Sequence, residues 1–283
     1  KKTCYNYKPD LIMLGHADLI SSEQIQELKD DYPNVRFGQW FLDPLNKRGP
    51  DYERNKDRIL DKIHKVDATF TTTSPKVLTF LPNKNKNFFI PNPSDPSFET
   101  LNNYSKPCNV DVFFALSHGV HRGVLKSGKI DDRINFIQKL RSITSDVKFD
   151  IYGVDKVQPI WADHYFKTIA NAKMGLNLSR GEAIKYYSSD RITQIIGNGL
   201  VCLIDQKTEY GDFFSDKEMV FYKNLSDLSE KISKLSRDEK LRKLIGKKGK
   251  EKYMKYFNSK LVAQFIIDKT LGIESKNKYI WHK

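Results

Sequence analysis

Between Gly175 and Val201 the chain reads Gly-Leu-Asn-Leu-Ser-Arg-Gly-Glu-Ala-Ile-Lys-Tyr-Tyr-Ser-Ser-Asp-Arg-Ile-Thr-Gln-Ile-Ile-Gly-Asn-Gly-Leu-Val. An apolar run leads into a polar loop and then into a helical run. Three cations, Arg180, Lys185 and Arg191, lie along the way. This is the chemistry of anion binding. A helix N-terminus presents unsatisfied backbone N–H groups and a positive dipole end, and guanidinium groups add charge-assisted hydrogen bonds. Ser188 or Ser189 is placed to cap the helix. The less specific reading is a set of ordinary surface cations beside an ordinary cap; the strand-to-helix placement favours a phosphate.

Two further constellations carry chemistry. Ser117-His118-Gly119-Val120-His121-Arg122-Gly123 follows an apolar run, with Lys126 just beyond. Its glycines let backbone approach a ligand, and Arg122 and Lys126 suit a diphosphate. The spacing is not Gly-x-Gly-x-x-Gly, so a dinucleotide fingerprint is unsupported, and a flexible basic loop is the alternative. His16 follows the apolar run Leu11-Ile12-Met13-Leu14, and Asp43 closes Trp40-Phe41-Leu42 ahead of a proline. Both stand at strand ends, where a general base could act. The plainer readings are a polar loop residue and a turn residue. No Asp-x-Asp occurs, and of the six histidines only His118 and His121 are close in sequence. Neither a metal nor another cofactor is expected.

The elements that must position these residues are legible as an alternation. Leu11–Leu14, Val35–Leu42, Ala68–Thr73 and Phe88–Ile90 have strand character. Between them run a helix capped by Ser21 or Ser22 and a charged helix with Ile59, Leu60, Ile63 and Val66 on one side. Pro91, Pro93 and Pro96 exclude helix and central strand, and mark a linker ending near Pro107. The alternation then restarts: strands at 112–116, 149–153, 174–178, 200–204 and 219–222, helices around Ile134–Leu140, Tyr165–Ala172 and Arg191–Ile196, and helix from Leu225 onward. Strands separated by helices imply parallel sheets, here in two α/β domains. Ligands in such sheets bind at the carboxyl ends of the strands, and a cleft between two domains is the default site.

Composition is compatible with this. The 283 residues are 39% hydrophobic, enough for more than one core, and 29% charged, which excludes wholesale disorder. No apolar run approaches the ~20 residues needed to span a bilayer. Lys1-Lys2-Thr3-Cys4 is not followed by an apolar stretch, so no signal peptide is expected, and it does not look like a natural start. Cys4, Cys108 and Cys202 are odd in number and far apart, which fits a reducing, cytoplasmic setting. The net charge is +13. Residues 231–260 hold 12 Lys/Arg against 3 Asp/Glu, a local +9. Such a surface suits phosphates, nucleic acid or an anionic membrane. Nucleic acid is not expected, because the nearby Tyr253, Tyr256 and Phe257 fit a core face better than a stacking platform.

The segment around Arg191 resembles the donor-binding core of GT-B glycosyltransferases, in particular the group-1-like branch that includes CgeB-like spore-maturation proteins. That branch reads Arg-x-Phe-Glu-(Ala)-x-(Ala)-x-Gly ahead of a buried strand. Here the stretch is Arg191-Ile192-Thr193-Gln194-Ile195-Ile196-Gly197-Asn198-Gly199. The stretch Asp205–Tyr222, Leu225-Ser226-Asp227-Leu228, the basic helix with Gly246 and Gly249, and Phe89-Ile90-Pro91-Asn92-Pro93-Ser94-Asp95-Pro96-Ser97-Phe98 are similar too. The resemblance is clearest over residues 88–270. It implies a GT-B architecture of two Rossmann-like domains facing a cleft, the N-terminal one short or truncated. The expected division is 1–106 on the acceptor side, 107–260 for the nucleotide-sugar, and a helix and tail, 261–283, returning to the N-terminal domain. Gly119, Arg122, Lys126, Tyr152, Gly153, Arg180, Lys185, Tyr187, Ser189, Asp190, Arg191 and Gln194 are the implied donor-binding residues.

The family's ribose-holding glutamate is replaced by Gln194, and Glu182 forms no Glu-x7-Glu pair. The resemblance implies transfer of a hexosyl or related sugar from a nucleoside-diphosphate sugar to a glycan, lipid-linked or protein acceptor, without a metal. The setting would be cell-envelope glycan synthesis, cytoplasmic or peripheral at the inner face of an anionic membrane. A nucleotide-sugar epimerase of the same architecture, and a non-catalytic nucleotide-sugar-binding protein, are the alternatives.

Overall fold

The computed structural model describes residues 1–49, 51–82, 86–116 and 131–282. The chain divides into two compact units. Unit 1 comprises Lys1–Pro91, Ile184–Tyr187 and Ser259–Lys283; unit 2 comprises Asn92–Ala183 and Ser188–Asn258.

Unit 1 holds a four-stranded parallel sheet in simple chain order: β1 (Leu11–Gly15), β2 (Arg36–Phe41), β3 (Ala68–Thr71) and β4 (Asn87–Phe89). A short helix, α1 (Lys2–Tyr7), precedes β1. Helix α2 (Ser22–Asp31) begins with a reciprocal capping box: the Ser21 hydroxyl accepts from Gln24 N, and the Gln24 side chain accepts from Ser21 N. Ser21, of the two candidate serines, is therefore the cap. Helix α3 (Tyr52–Ile63) buries Ile59 and Ile63 against Phe41, Leu45 and Leu78. The unit ends in α9 (Ser259–Leu271) and the tail beyond it. Phe265 of α9 packs edge-on against Phe70 and Phe88 of the sheet and against Tyr279 and Trp281 of the tail. Each such ring, fully buried, contributes roughly 1.5–3 kcal/mol.

Unit 2 holds a five-stranded parallel sheet in the order β6-β5-β7-β8-β9. Its elements are β5 (Val110–Ala115), α4 (Asp132–Ile143), β6 (Phe149–Tyr152), α5 (Ala162–Ile169), β7 (Ala172–Asn177), α6 (Arg191–Gly197), β8 (Val201–Asp205), β9 (Val220–Tyr222), α7 (Leu225–Arg237) and α8 (Glu239–Tyr256). Val112, Phe114, Met174, Leu176, Val201 and Leu203 of the strands pack with Ile137 and Leu140 of α4 and with Leu228 and Ile232 of α7. Near-continuous apolar strands of this kind are what a parallel sheet covered on its faces requires. Helix α5 ends earlier than the sequence suggests, because Ala172 already pairs in β7. The long helical C-terminus is three helices. Asn224 caps α7, and Asp238 ends it and caps α8.

The expected boundary at 106/107 and the contact-based one at Pro91/Asn92 differ because the proline-rich segment packs within unit 2. Asn103 Nδ2 donates to Ile169 O at 2.8 Å and to Ala172 O at 2.7 Å. Lys250 Nζ donates to Leu101 O at 2.6 Å, and Tyr253 OH donates to Asn92 O at 2.7 Å. Much of the basic stretch is thus engaged within the fold. Lys231 holds Asp227, Arg242 donates to Leu235 O, Lys243 pairs with Glu239, and Lys252 reaches Glu218.

Helix α8 approaches the sheet closely at Gly246, where a methyl group would stand 2.6 Å from the Gly199 carbonyl oxygen. This gives a test of sign. Helix propensity alone makes Gly246→Ala stabilising by about 1 kcal/mol. The backbone clash makes it destabilising. Urea denaturation should show a lower midpoint for Gly246→Ala; a higher midpoint would mean that the helix has room to move.

Candidate functional site

The order of the unit 2 sheet creates a place for a ligand. From β5 the chain crosses to β6 on one side, and after α5 it enters β7 on the other. Helices leaving neighbouring strands to opposite sides open a crevice at their carboxyl ends, here those of β5 and β7. The residues around that crevice are Leu116 beyond β5, Asp131 and Arg133 at the start of α4, Asn177 at the end of β7, the loop carrying Arg180, and Ser189 and Arg191 ahead of and at the start of α6.

At the head of α4, the Asp131 side chain is fully shielded from solvent. It accepts from Arg133 N at 3.0 Å and takes the Arg133 guanidinium through both oxygens, at 2.9 and 2.7 Å. Arg180 Nε lies 3.7 Å from the same carboxylate. Two guanidinium groups therefore share one buried carboxylate. At the end of β7, Asn177 is only 3% exposed. Its Oδ1 accepts from Ser189 Oγ at 2.8 Å, while its Nδ2 has no hydrogen-bond partner among the described residues. A buried amide donor left unsatisfied costs of order 1–3 kcal/mol, so such groups cluster where a ligand completes them. Arg191 Nη2 donates to Leu178 O at 2.7 Å, and the guanidinium lies 5.4 Å from the centre of the Phe114 ring. These contacts fix the side chain on the carboxyl end of β5.

The helix that follows does not begin as its sequence suggests. Neither serine caps α6. Ser188 Oγ shares a 2.8 Å hydrogen bond with Tyr210 OH, and Ser189 is held by Asn177. Asp190 occupies the cap position without a side-chain bond. Ile192 N and Thr193 N already donate to Ser189 O and Asp190 O, both at 3.0 Å. The two amides best placed for a phosphate are thus engaged in the turn. The side chains gathered at this corner are Arg133, Arg180, Arg191 and Asn177, not free amides of the helix end.

The other expected donor residues are placed as follows. Gln194 is half-buried on α6, one helical turn from Arg191. Tyr152 ends β6, with its ring near Phe113 and His164, and partial burial raises its phenol above the usual range. Gly153 follows at φ 76, where a Cβ would stand 2.3 Å from Leu116 O, so the turn beside the crevice requires glycine. Lys185 and Tyr187 belong to unit 1, where Lys185 O accepts from Ser74 N and its ammonium lies over the Tyr186 ring. Gly119, Arg122 and Lys126 lie outside the described residues. Sequence reasoning missed Asp131, Arg133 and Asn177. Only the position of Asp131 just before a helical run hinted at a cap.

A second cluster occupies the carboxyl ends of β1 and β2 in unit 1. The register pairs Gly15 with Trp40, which brings the next residues, His16 and Phe41, into a stack 5.0 Å apart. His16 has φ 48, an uncommon conformation for a residue with a Cβ. Arg58, from α3, reaches this point. Its Nη2 meets His16 Nδ1 at 2.8 Å, its Nε donates to Asp18 at 2.8 Å, and its Nη1 to Asp43 at 3.4 Å. The hydrogen bond from Arg58 holds the Asp18 carboxyl below the usual range. His16 Nδ1 is 3.9 Å from Asp43. His16, Asp18, Trp40, Phe41, Arg58 and Lys62 line a small open recess here. The structure thus brings the two base candidates together, through an arginine that sequence reading did not single out.

With this geometry in view, residues 133–268 match a family described as glycosyl transferase-like. No curated protein is similar in sequence. Among solved structures, TarM of S. aureus, in complex with Fondaparinux, alpha-GlcNAc-glycerol and UDP, is similar with a TM-score of 0.62 at 14% identity, covering 85% of this chain and 52% of TarM. HepE of Anabaena, in complex with UDP, gives a TM-score of 0.59 at 10% identity, covering 96% of this chain and 80% of HepE. Sucrose-phosphate synthase of Thermosynechococcus elongatus gives 0.55 at 13%, covering 94% and 74%. Residues 133–268 are thus similar to a glycosyl transferase-like family, and the solved structures show the GT-B fold. The chain spans about half the length of TarM, and at these identities the structures speak for the fold.

Among the described residues no cluster of three or more metal-ligating side chains occurs, and no helix is long and apolar enough to cross a membrane. The buried Asp131 gives a direct prediction. Asp131→Ala leaves Arg133 buried without its carboxylate, and should lower unfolding free energy by about 3–5 kcal/mol. A loss below about 1 kcal/mol in denaturant titration would show that the pair is not the anchor of this corner.

Proposed function

We propose that this chain transfers a hexosyl or related sugar from a nucleoside-diphosphate sugar to a hydroxyl of a glycan, lipid-linked or protein acceptor. The observation that carries the proposal is the crevice at the ends of β5 and β7. It combines the Arg180 and Arg191 guanidinium groups with the Asn177 amide, which has no partner among the described residues, within a stretch, residues 133–268, that is glycosyl transferase-like. UDP in the TarM and HepE structures supports a nucleotide of this class.

In the transfer, the bond between the anomeric carbon and the diphosphate oxygen breaks, and the acceptor oxygen bonds to that carbon and gives its proton to the departing diphosphate or to solvent. Negative charge grows on the departing diphosphate. Fixed guanidinium groups aimed at that charge lower the barrier without reorganising. The Asn177 amide supplies a neutral donor beside them. Gln194, on the same side of α6 as Arg191, takes the ribose hydroxyls. Its neutral hydrogen bonds contribute about 0.5–1.5 kcal/mol each, less than a carboxylate's, so donor affinity is modest. A lipid-linked acceptor would bring the enzyme to an anionic membrane surface at its cytoplasmic face, where the exposed Lys234, Lys240 and Lys255 of unit 2 would meet headgroups.

Titration calorimetry tests the assignment. UDP should bind in the presence of EDTA, since the guanidinium groups take the place of a metal. Arg180→Ala or Arg191→Ala should weaken UDP by roughly tenfold or more and uridine by much less, as expected for losing a charge-assisted bond. Equal losses for UDP and uridine would remove these side chains from the diphosphate. Binding only with added manganese would replace the guanidinium account with a metal one. UDP-sugar binding without turnover on any acceptor would favour a non-catalytic protein.

A further inference from the structure

We infer that Arg58 sets the tautomer of His16, and so makes His16 a hydrogen-bond donor to its ligand and not the base that activates an acceptor. A guanidinium carries only N–H donors and stays protonated. The 2.8 Å contact between Arg58 Nη2 and His16 Nδ1 therefore requires Nδ1 to accept. In a neutral imidazole the proton then resides on Nε2. The ring cannot turn freely to change this, because it stacks on Phe41 at 5.0 Å.

The neighbouring carboxylate shows what Arg58 prevents. Asp43 Oδ2 is 3.9 Å from the same Nδ1. Without the guanidinium, Nδ1–H would donate to Asp43, and Nε2 would present a lone pair. That is the arrangement in which a carboxylate orients an imidazole as a general base. Arg58 occupies the position between them: it donates to His16 at Nδ1, to Asp43 at 3.4 Å and to Asp18 at 2.8 Å. The dyad suggested by the residue types is uncoupled, and His16 faces the recess with an N–H. Its ligand there is an oxygen that accepts a hydrogen bond.

The charges around the recess narrow the ligand further. Asp18 and Asp43 face Arg58, and Lys62 of α3 is paired with Asp61 at 2.6 Å. Two cations meet three carboxylates, so the cluster has no excess positive charge to draw an anion. An uncharged hydroxyl-bearing group, with donors and acceptors of its own, fits this lining. The link to an acceptor rests on the proposed transferase function; the tautomer does not.

The imidazole nitrogens report the tautomer directly, through long-range proton–nitrogen correlation spectra of the nitrogen-15-labelled chain at pH 8.5, where an ordinary imidazole is neutral. Wild type should show His16 with Nε2 protonated. Arg58→Gln should shift His16 toward the Nδ1-protonated form, and adding Asp43→Asn to Arg58→Gln should bring the Nε2 form back. Arg58→Lys, which still donates, should retain the wild-type pattern, as should Asp43→Asn alone, which leaves Arg58 in place and guards against misfolding of the Arg58 variants. An Nδ1-protonated His16 in the wild type, or a tautomer indifferent to Arg58→Gln, overturns the inference. No nucleotide or acceptor is needed, so failure here leaves the transferase proposal to its own test.

Discussion

The chemistry of unit 2 depends on where β5 lies in its sheet. In a parallel sheet whose crossovers leave neighbouring strands in opposite directions, the carboxyl ends at the switch point, here those of β5 and β7, are where a ligand is expected. Everything proposed for the nucleotide follows from that switch point. Arg191 is fixed to it by Leu178 O and the Phe114 ring. Arg180 is drawn toward it by the buried Asp131. Asn177 brings to it an amide hydrogen-bond donor that no other described residue uses. A buried carboxylate shared by two guanidinium groups also limits how far either can move, which is the preorganisation that charge stabilisation requires.

The net charge of +13 looks different once its members are followed individually. The basic stretch of residues 231–260 is largely internal bonding. Lys250 fastens the proline-rich segment through Leu101 O, Arg242 stitches α8 to the end of α7, and Lys231, Lys243 and Lys252 hold carboxylates. Surface pairs of this kind contribute little each, near 0–1 kcal/mol. Bonds to buried backbone oxygens, as from Lys250 and Arg242, matter more, because losing them leaves carbonyl groups unsatisfied. The smaller cationic group at the crevice is the one whose geometry bears on a diphosphate.

How far the sequence could be read depended on the range of the interaction. Strands show as local apolar runs, and the nine strands among the described residues coincide with runs identified that way. The cap of α2 was legible only as a choice between Ser21 and Ser22, which the reciprocal bonds with Gln24 decide. Asp131, Arg133 and Asn177 were not, because their meaning comes from which strand ends the sheet order brings together, which no local pattern reveals. Arg58 was hidden for the same reason: it stands 42 residues from His16 and reads as one more charge on a polar helix. The reading of α6 failed differently. Ser188 and Ser189 have the composition of caps, but tertiary partners, Tyr210 and Asn177, hold both hydroxyls. Lys185 shows that sequence proximity is not spatial grouping, since residues 184–187 belong to unit 1 while the rest of their loop belongs to unit 2.

The central claim is that a nucleoside diphosphate lies at the carboxyl ends of β5 and β7. A crystal structure of the chain with UDP tests it most directly. The account predicts diphosphate oxygens at roughly 2.7–2.9 Å from a guanidinium nitrogen of Arg180 or Arg191, with Asn177 Nδ2 donating to the ligand. UDP held elsewhere, with Arg180, Arg191 and Asn177 all out of contact, would contradict it.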